Sequence, residues 1–398
     1  MELNRKNIIT FVIVIIFSVL FIWIGNRTNK TKMLDDTAQN YFRGKVVSIE
    51  NTEVHQKQIT ETSSVSITTI TYKQKLLTGP NRGKTVLGVQ TIDGSYAIKQ
   101  VPIKVGNKII TYFEPEASGI PSQYTFAEYY RSDGMIFLVV LFLLLIVLIG
   151  KSKGFFTILS LIITVLVIFC VFIPAIINGR NVYITTIVIS SFIIFTTLLL
   201  INGWNKKTLC AILGNIGGIA VAGIIAIIMS KILKVNGFVD EEYAFLVAAQ
   251  LNKPLDLIGI VWSGIVLGSL GAVMDVAMSI SSAMNELSEN MEKKTAKKMM
   301  KSGMNIGRDA IGTMTNTLIL AYVGSSIATV VLLSIYNNNM LFLFNTEMIV
   351  VEVLQSIVGS LGILFAVPLT ALFAAYIFTK NDEDYKYIKK DEIGGIKL

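Results

Sequence analysis

Hydrophobic positions along this chain follow two different rhythms. From Ile8 to Ile24, and again from Gly134 onward, they run almost unbroken, whereas from about residue 33 to 130 they alternate with polar positions. Unbroken runs of this kind predict membrane-crossing helices, since roughly 20 apolar residues are needed to span the hydrocarbon. The runs are Ile8–Ile24, Gly134–Gly150, Phe155–Ile177, Val182–Ile201, Leu209–Leu233, Leu255–Ser281, Ala310–Tyr336 and Thr346–Phe378, which makes about eight spans. The first reads as an uncleaved signal anchor, because Arg5 and Lys6 precede it and no A-x-A-type cleavage site follows.

The alternating stretch reads as β-structure. KVVSIE, SVSITTITYKQKLL, KTVLGVQTI and YAIKQVPIKVGNKIITYFEP are rich in β-branched residues, and turn clusters such as Gly79-Pro80-Asn81-Arg82-Gly83 and Asp93-Gly94 separate them. About five or six strands follow from this pattern, a small barrel of the OB or SH3 type. The run from Gly79 to Thr85 resembles a phosphate loop, but it has one residue too few between its glycines and leads into a strand pattern, so a hairpin turn is the better reading. The segment from Glu116 to Gln123, with Gly119 and Pro121, reads as a linker.

The expected architecture is therefore an α-helical polytopic membrane protein of about eight spans, with a small extracytoplasmic β-barrel-like domain between the first two. Residues 1–32 form the anchor and its flank, 33–130 the β-domain, 131–379 a seven-span core and 380–398 a tail. Composition agrees: 53% of residues are hydrophobic and 16% charged, outside the range of an ordinary soluble protein. The net charge of +8 would suggest nucleic acid in a soluble protein, but here it collects in short loops. Lys151/Lys153, Lys206/Lys207, Lys293 to Lys301 and the tail from Lys380 alternate with less basic loops, the first set being cytoplasmic by the positive-inside bias. Both termini are then inside and the β-domain outside a bacterial plasma membrane. The partners expected are the lipid bilayer and a protein partner at the β-domain, with no nucleic acid. One histidine, His55, and two cysteines inside apolar runs, Cys170 and Cys210, exclude a His/Cys zinc cluster and a disulfide framework. No cofactor, metal or enzymatic step is expected.

Polar residues recur inside apolar sequence only between Gly264 and Gly324. Asp275, Ser279, Ser282 and Glu286 share one helical stripe, and Asn305, Asp309, Thr313 and Asn316 share another on the following helix. Two such stripes on adjacent antiparallel helices can line one cavity. An intramembrane carboxylate costs several kcal/mol, so Asp275 should face the bundle interior or a water-filled cavity and have a partner. The candidate ion-coupling residues are Asp275, Ser279, Ser282, Glu286, Arg308, Asp309, Thr313 and Asn316, with Thr315 and Thr317 as further neutral partners. For the hydroxyls and amides, plain interhelical bonding is the competing reading. Arg308 with Asp309 reads as an interfacial ion pair, and Gly214/Gly218, Gly264/Gly268/Ala272 and Gly359/Gly362 as packing stripes. Met284, Leu287, Met291, Met299 and Met300 lie opposite Lys293, Lys294, Lys297 and Lys298, a pattern for a helix lying on the anionic leaflet. Pro174 and Pro368 can kink their helices.

GAVMDVAMSISSAMNEL followed by SGMNIGRDAIGTMTNTLILAYVGSS resembles the bacterial YibE/F-like membrane proteins. The likeness covers about Tyr41 to Phe378 and implies the layout above without implying a reaction. Gly271-x-x-x-Asp275, with Glu286 further on, is similar to the fourth-helix motif of the SecD/SecF branch of resistance-nodulation-division transporters, in which the acidic residue serves proton-driven work. Ser282 and Ala283 stand where those proteins usually carry an acidic–basic pair, and two more spans precede the motif. The function expected is an ion- or proton-coupled transporter with an intramembrane carboxylate. The alternative is a non-transporting scaffold or regulator that binds a partner through its β-domain. An aspartyl protease using Asp275 and Asp309 lacks the G-x-G-D loop of such enzymes.

Overall fold

The structure, a computed structural model, describes residues 5–29, 40–60, 63–94, 101–116, 122–248, 254–291, 295–336 and 339–393. Chain contacts divide it into two compact units, Met1–Thr31 with Ile146–Leu398, and Lys32–Leu145.

The smaller unit is built on β1 (Tyr41–Thr60), β2 (Ser63–Leu76), β3 (Thr85–Asp93), β4 (Lys108–Glu114) and β5 (Gln123–Tyr129). They close in the order β1-β2-β3-β5-β4, every pairing antiparallel except β3 with β5. This is an OB-type barrel. Val46, Ile70, Tyr72, Ile103 and Ile109 fill it. A side chain at Gly88 would meet the Tyr72 ring at 2.7 Å, so only glycine lets β3 cross the phenol. Burial pushes the Tyr72 hydroxyl well above the ordinary phenol range. Some of the polar groups inside are bonded, while the Tyr72 hydroxyl, Gln74 Oε1 and the Thr125 hydroxyl have no hydrogen-bond partner among the described residues. Gln74 donates to Thr111 at 3.1 Å, while Gln90 donates to the Val101 carbonyl at 3.1 Å and accepts from the Ile103 N–H at 2.9 Å, which pins the segment before β4 onto β3. β1 pairs with β4 only over Tyr41–Lys45, but with β2 out to Thr60–Ser63, and β3 accompanies β2 as far as Ile67–Asp93, so a short two-stranded ribbon of β1 and β2 continues beyond β3. The Gly79–Gly83 segment is indeed the β2–β3 turn, both glycines having positive φ. The linker expected at 116–123 falls mostly outside the described residues.

The larger unit is helical. Among the described residues seven helices are long and apolar enough to cross a membrane. They begin with α1 (Arg5–Thr28) and α2 (Ser132–Val167), which continues through a π-helical turn, Ile168–Phe172, into α3 (Ile173–Ile177). Next come α4 (Val182–Asn202), α5 (Lys206–Ile232), a short α6 (Glu241–Ala248), α7 (Leu257–Asn290) and α8 (Ala296–Tyr336). A short α9 (Met340–Phe344) leads into α10 (Glu347–Ile393). Two of the eight predicted runs, Gly134–Gly150 and Phe155–Ile177, belong to one stretch that breaks at Lys151 (φ 50°, ψ −129°). There the chain turns back tightly enough that a side chain at Gly154 would clash with the carbonyl of Ile146. The π-turn comes just before Pro174, a residue with no N–H to give to a regular ladder.

The core of the bundle is α5, α7 and α10. Small residues set its spacing: Gly218 lies against Ala366 and Val273, and Gly362 against Ala222 and Val273. Asn181, Asn205 and Asp256 cap α4, α5 and α7 by accepting from Ile184, Thr208 and Gly259 N–H. The methionine pattern is corrected. Met284 and Met299 are fully buried in the bundle, and no separate helix lies between α7 and α8 among the described residues, because both helices extend past their apolar runs. α8 begins 14 residues before the run at Ala310, its Met299, Gly303 and Gly307 turned inward at helical spacing.

Candidate functional site

The register of α7, α8 and α10 fixes what can meet at the polar stripes. A side chain at Gly303 would touch Met284 Sδ at 2.6 Å, one at Gly307 would lie 3.4 Å from Ile280, and one at Gly268 would lie 2.6 Å from the Tyr322 hydroxyl. α7 and α8 are therefore antiparallel neighbours, with Asp275 level with Gly312 and Gly271 level with Asn316. Across the other side of α8, Gly359 meets Leu318, Gly307 meets Val367 and Gly303 meets Ala371.

Asp275 lies off the packed side of α7, so of the two settings expected for it the bundle interior is not the one it takes. Val273, Val276, Ala277 and Ile280 occupy the packed side of α7. The 3.6-residue period then sends Gly271, Asp275, Ser279 and Glu286 to the opposite side, where they are exposed, with Ser282 half-buried beside them. On α8, Asn305, Arg308, Asp309, Thr313 and Asn316 are exposed as well. A side chain at Gly271 or Gly312 would meet nothing within 4 Å, so the face is open one turn before Asp275 on α7 and at the Gly312 position of α8.

Few of these groups bond to one another. The ion pairs among the described residues all lie between Glu50 and Asp133, so Arg308 and Asp309 form no pair and Asp275 has no cation. Thr313 and Thr317 donate back to the carbonyls of Ala310 (3.2 Å) and Thr313 (2.9 Å) on their own helix. The Thr315 hydroxyl is buried and has no hydrogen-bond partner among the described residues.

Sequence reasoning missed a second polar group at the other end of this face. Tyr322 on α8 and Glu352 on α10 each bury an oxygen with no hydrogen-bond partner among the described residues, and Gln355 reaches toward Gly264. The antiparallel register of α8 and α10 brings Tyr322 level with Glu352 and Gln355. Position was the reason for the miss, since Glu352 sits within a turn or two of the helix start and reads as an interfacial charge. Burial, then Asp240 and the Glu352 carboxylate, raise the Tyr243 phenol on α6. Within the core, Asn215 and Thr370 are fully buried with side-chain atoms unbonded among the described residues. No three His, Cys, Asp or Glu side chains among the described residues come together to hold a metal ion.

The family model described as YibE/F-like protein matches residues 138–380, well over half of the chain. The chain belongs to the YibE/F-like family. No curated protein and no solved structure matches it, and the likeness to the SecD/SecF branch rests on the Gly271–Asp275 motif alone. All of the polar face, from Gly264 to Gln355, lies inside the YibE/F-like region. The barrel and α1 lie before it.

Proposed function

We propose that this YibE/F-like protein is an ion- or proton-coupled transporter of the bacterial plasma membrane, multi-pass with both termini cytoplasmic, and that Asp275 is its coupling carboxylate. One observation carries the reading: an unpaired carboxylate sits midway along an apolar helix, beside an opening that no side chain from Gly271 or Gly312 fills. Hydrocarbon against such a group would cost several kcal/mol, so the opening is a water-accessible cavity rather than a lipid-facing surface. Asp275 then takes up and releases a proton or cation, Thr315 offers an unspent hydroxyl beside it, and Tyr322 with Glu352 forms a polar approach from the far end. The test is proton or cation flux into liposomes containing the purified protein. Asp275→Asn keeps the shape, so it should abolish flux while leaving the melting temperature nearly unchanged. Undiminished flux in that variant would refute the assignment.

The short ribbon of β1 and β2 beyond the β2–β3 pairing favours a second reading, a scaffold or regulator that binds a protein partner outside the membrane. In that case Asp275→Asn would fully complement a deletion strain and shortening the ribbon would not.

A further inference from the structure

On the packed side of α7, a half-open apolar cavity of about 310 Å³ lies between α4, α5 and α7. Its wall on α5 runs from Ile216 to Ile227, a rise of roughly 16 Å along the helix axis. At the Ile227 end it adjoins a second cavity of about 390 Å³, Ile227 and Trp262 lining both. The second cavity is polar at its rim, where Ser230, Lys231, Lys234 and Tyr183 stand.

Several features mark this as a built site. Trp262 is fixed by its indole N–H, which donates to the Gly223 carbonyl at 2.9 Å, and its ring lies 5.0 Å from that of Tyr183. Such an aromatic pair belongs at the boundary between hydrocarbon and head groups, which places the apolar cavity below that boundary and the lysines at it. The nearby carboxylates are committed elsewhere. Asp256 accepts from the Gly259 N–H at 2.9 Å, and Glu347 accepts from the N–H groups of Asn236 and Gly237, both at 2.7 Å. Neither Lys231 nor Lys234 has an ion pair among the described residues. Lys234 also holds φ 54° at the end of α5, where Val235 N–H returns to the Ser230 carbonyl at 2.9 Å. Glycine takes that conformation without strain, so the lysine occupies the position at a conformational cost.

We propose that the adjoining cavities bind one anionic phospholipid, with an acyl chain in the apolar part and the phosphate held by Lys231 and Lys234. The long axis of the cavity follows α5, as a lipid chain follows a membrane helix, and the charge at its mouth is of the complementary sign. The assignment is independent of the transport reading.

Trp262 supplies the probe. Trp23 and Trp204 are exposed, so Trp23→Phe with Trp204→Phe leaves one indole inside the site. This protein is reconstituted in phosphatidylcholine bilayers containing either phosphatidylglycerol or phosphatidylcholine with brominated chains, and bromine quenching of the indole is read. The phosphatidylglycerol form should reach half-maximal quenching at a mole fraction lower by at least about threefold. Adding Lys231→Gln and Lys234→Gln should make the two lipids equal. Lys234→Gly should weaken the preference without lowering the melting temperature, which separates a lost head-group contact from a damaged fold. Ala220→Phe, at an exposed position of the cavity wall, should reduce quenching by both lipids. Equal quenching in the parent protein would mean annular lipid only and overturn the proposal, as would a preference that survives the loss of both lysines. Brominated fatty acid quenching as well as phosphatidylglycerol would assign the site to a single-chain carboxylate and overturn the phospholipid assignment.

Discussion

Gly303 and Gly307 hold α8 against its neighbours. A side chain at Gly307 would overlap Val367, and one at Gly303 would come within 2.8 Å of Ala371 and 2.6 Å of Met284. Gly271 and Gly312 have no neighbour within that reach. Gly307→Val should therefore lower stability by about 1–3 kcal/mol through overpacking, whereas Gly271→Ala should fall within about 0.5 kcal/mol of the parent. Thermal unfolding of the detergent-solubilised variants checks both, and equal losses would mean that the opening at Gly271 is closed in solution. These glycines also show how far single residues were legible. Gly264/Gly268, four residues apart, and Gly359/Gly362, three apart, read alike as small-residue stripes, yet Gly359 and Gly362 are packed between helices while Gly264 and Gly268 border the polar face. Spacing reports a small-residue stripe but not what presses on it. The polar stripe of Asp275 was equally visible, but its direction depended on Val273, Val276 and Ala277 taking the packed side.

At the scale of elements, the barrel is the part whose response to pH follows from exposed pairs. The Glu50 carboxyl is held below its usual 4.5 by the Ser48 hydroxyl and by Lys73. Glu128 is held below 4.5 by the Tyr129 N–H and by Arg131. Both values are depressed in the folded state, so each group stabilises above the unfolded value and loses that contribution as pH falls through its folded value. The melting temperature of the β-domain should fall between about pH 6 and about pH 3, by a small amount because the pairs are exposed. Glu50→Gln with Glu128→Gln should flatten the dependence, and an unchanged slope would assign it to other carboxylates. The strands themselves were legible from alternation. The closure was not, since β3 meets β5 in parallel through only Gly88–Tyr124 and Val89–Thr125, residues far apart in the chain. Nor was the start of α8 legible, because the lysines at its head hid the inward spacing of Met299, Gly303 and Gly307.

For the molecule as a whole, sidedness rests on the basic loops. Reporter fusions after Lys153, Lys207 and residue 386 should report the cytoplasm, and fusions within the barrel the outside. A fusion after residue 294, which precedes the first residue of α8, should also report the cytoplasm. An external signal there would place the lysine-rich end of α7 and α8 on the wrong face and remove the basis for a polar approach to Asp275 from outside.

The break at Lys151 carries more than its size suggests. Without it, the 46 residues from Ser132 to Ile177 would form one rod of about 69 Å, over twice the roughly 30 Å hydrocarbon thickness. On the topology proposed above, the chain would then reach residue 178 on the face opposite the one it leaves at Ser132, turning two crossings into one. Every later loop, with its lysines, would be mirrored across the membrane. Holding Lys151 at φ 50°, ψ −129°, a sparsely populated backbone region, costs about 1–3 kcal/mol, whereas placing a lysine at mid-membrane costs about 2.5–3.5 kcal/mol, and Lys151 and Lys153 would both be placed there. On the proposed topology the smaller cost prevails, and the parity of the crossings turns on one residue's dihedral angles.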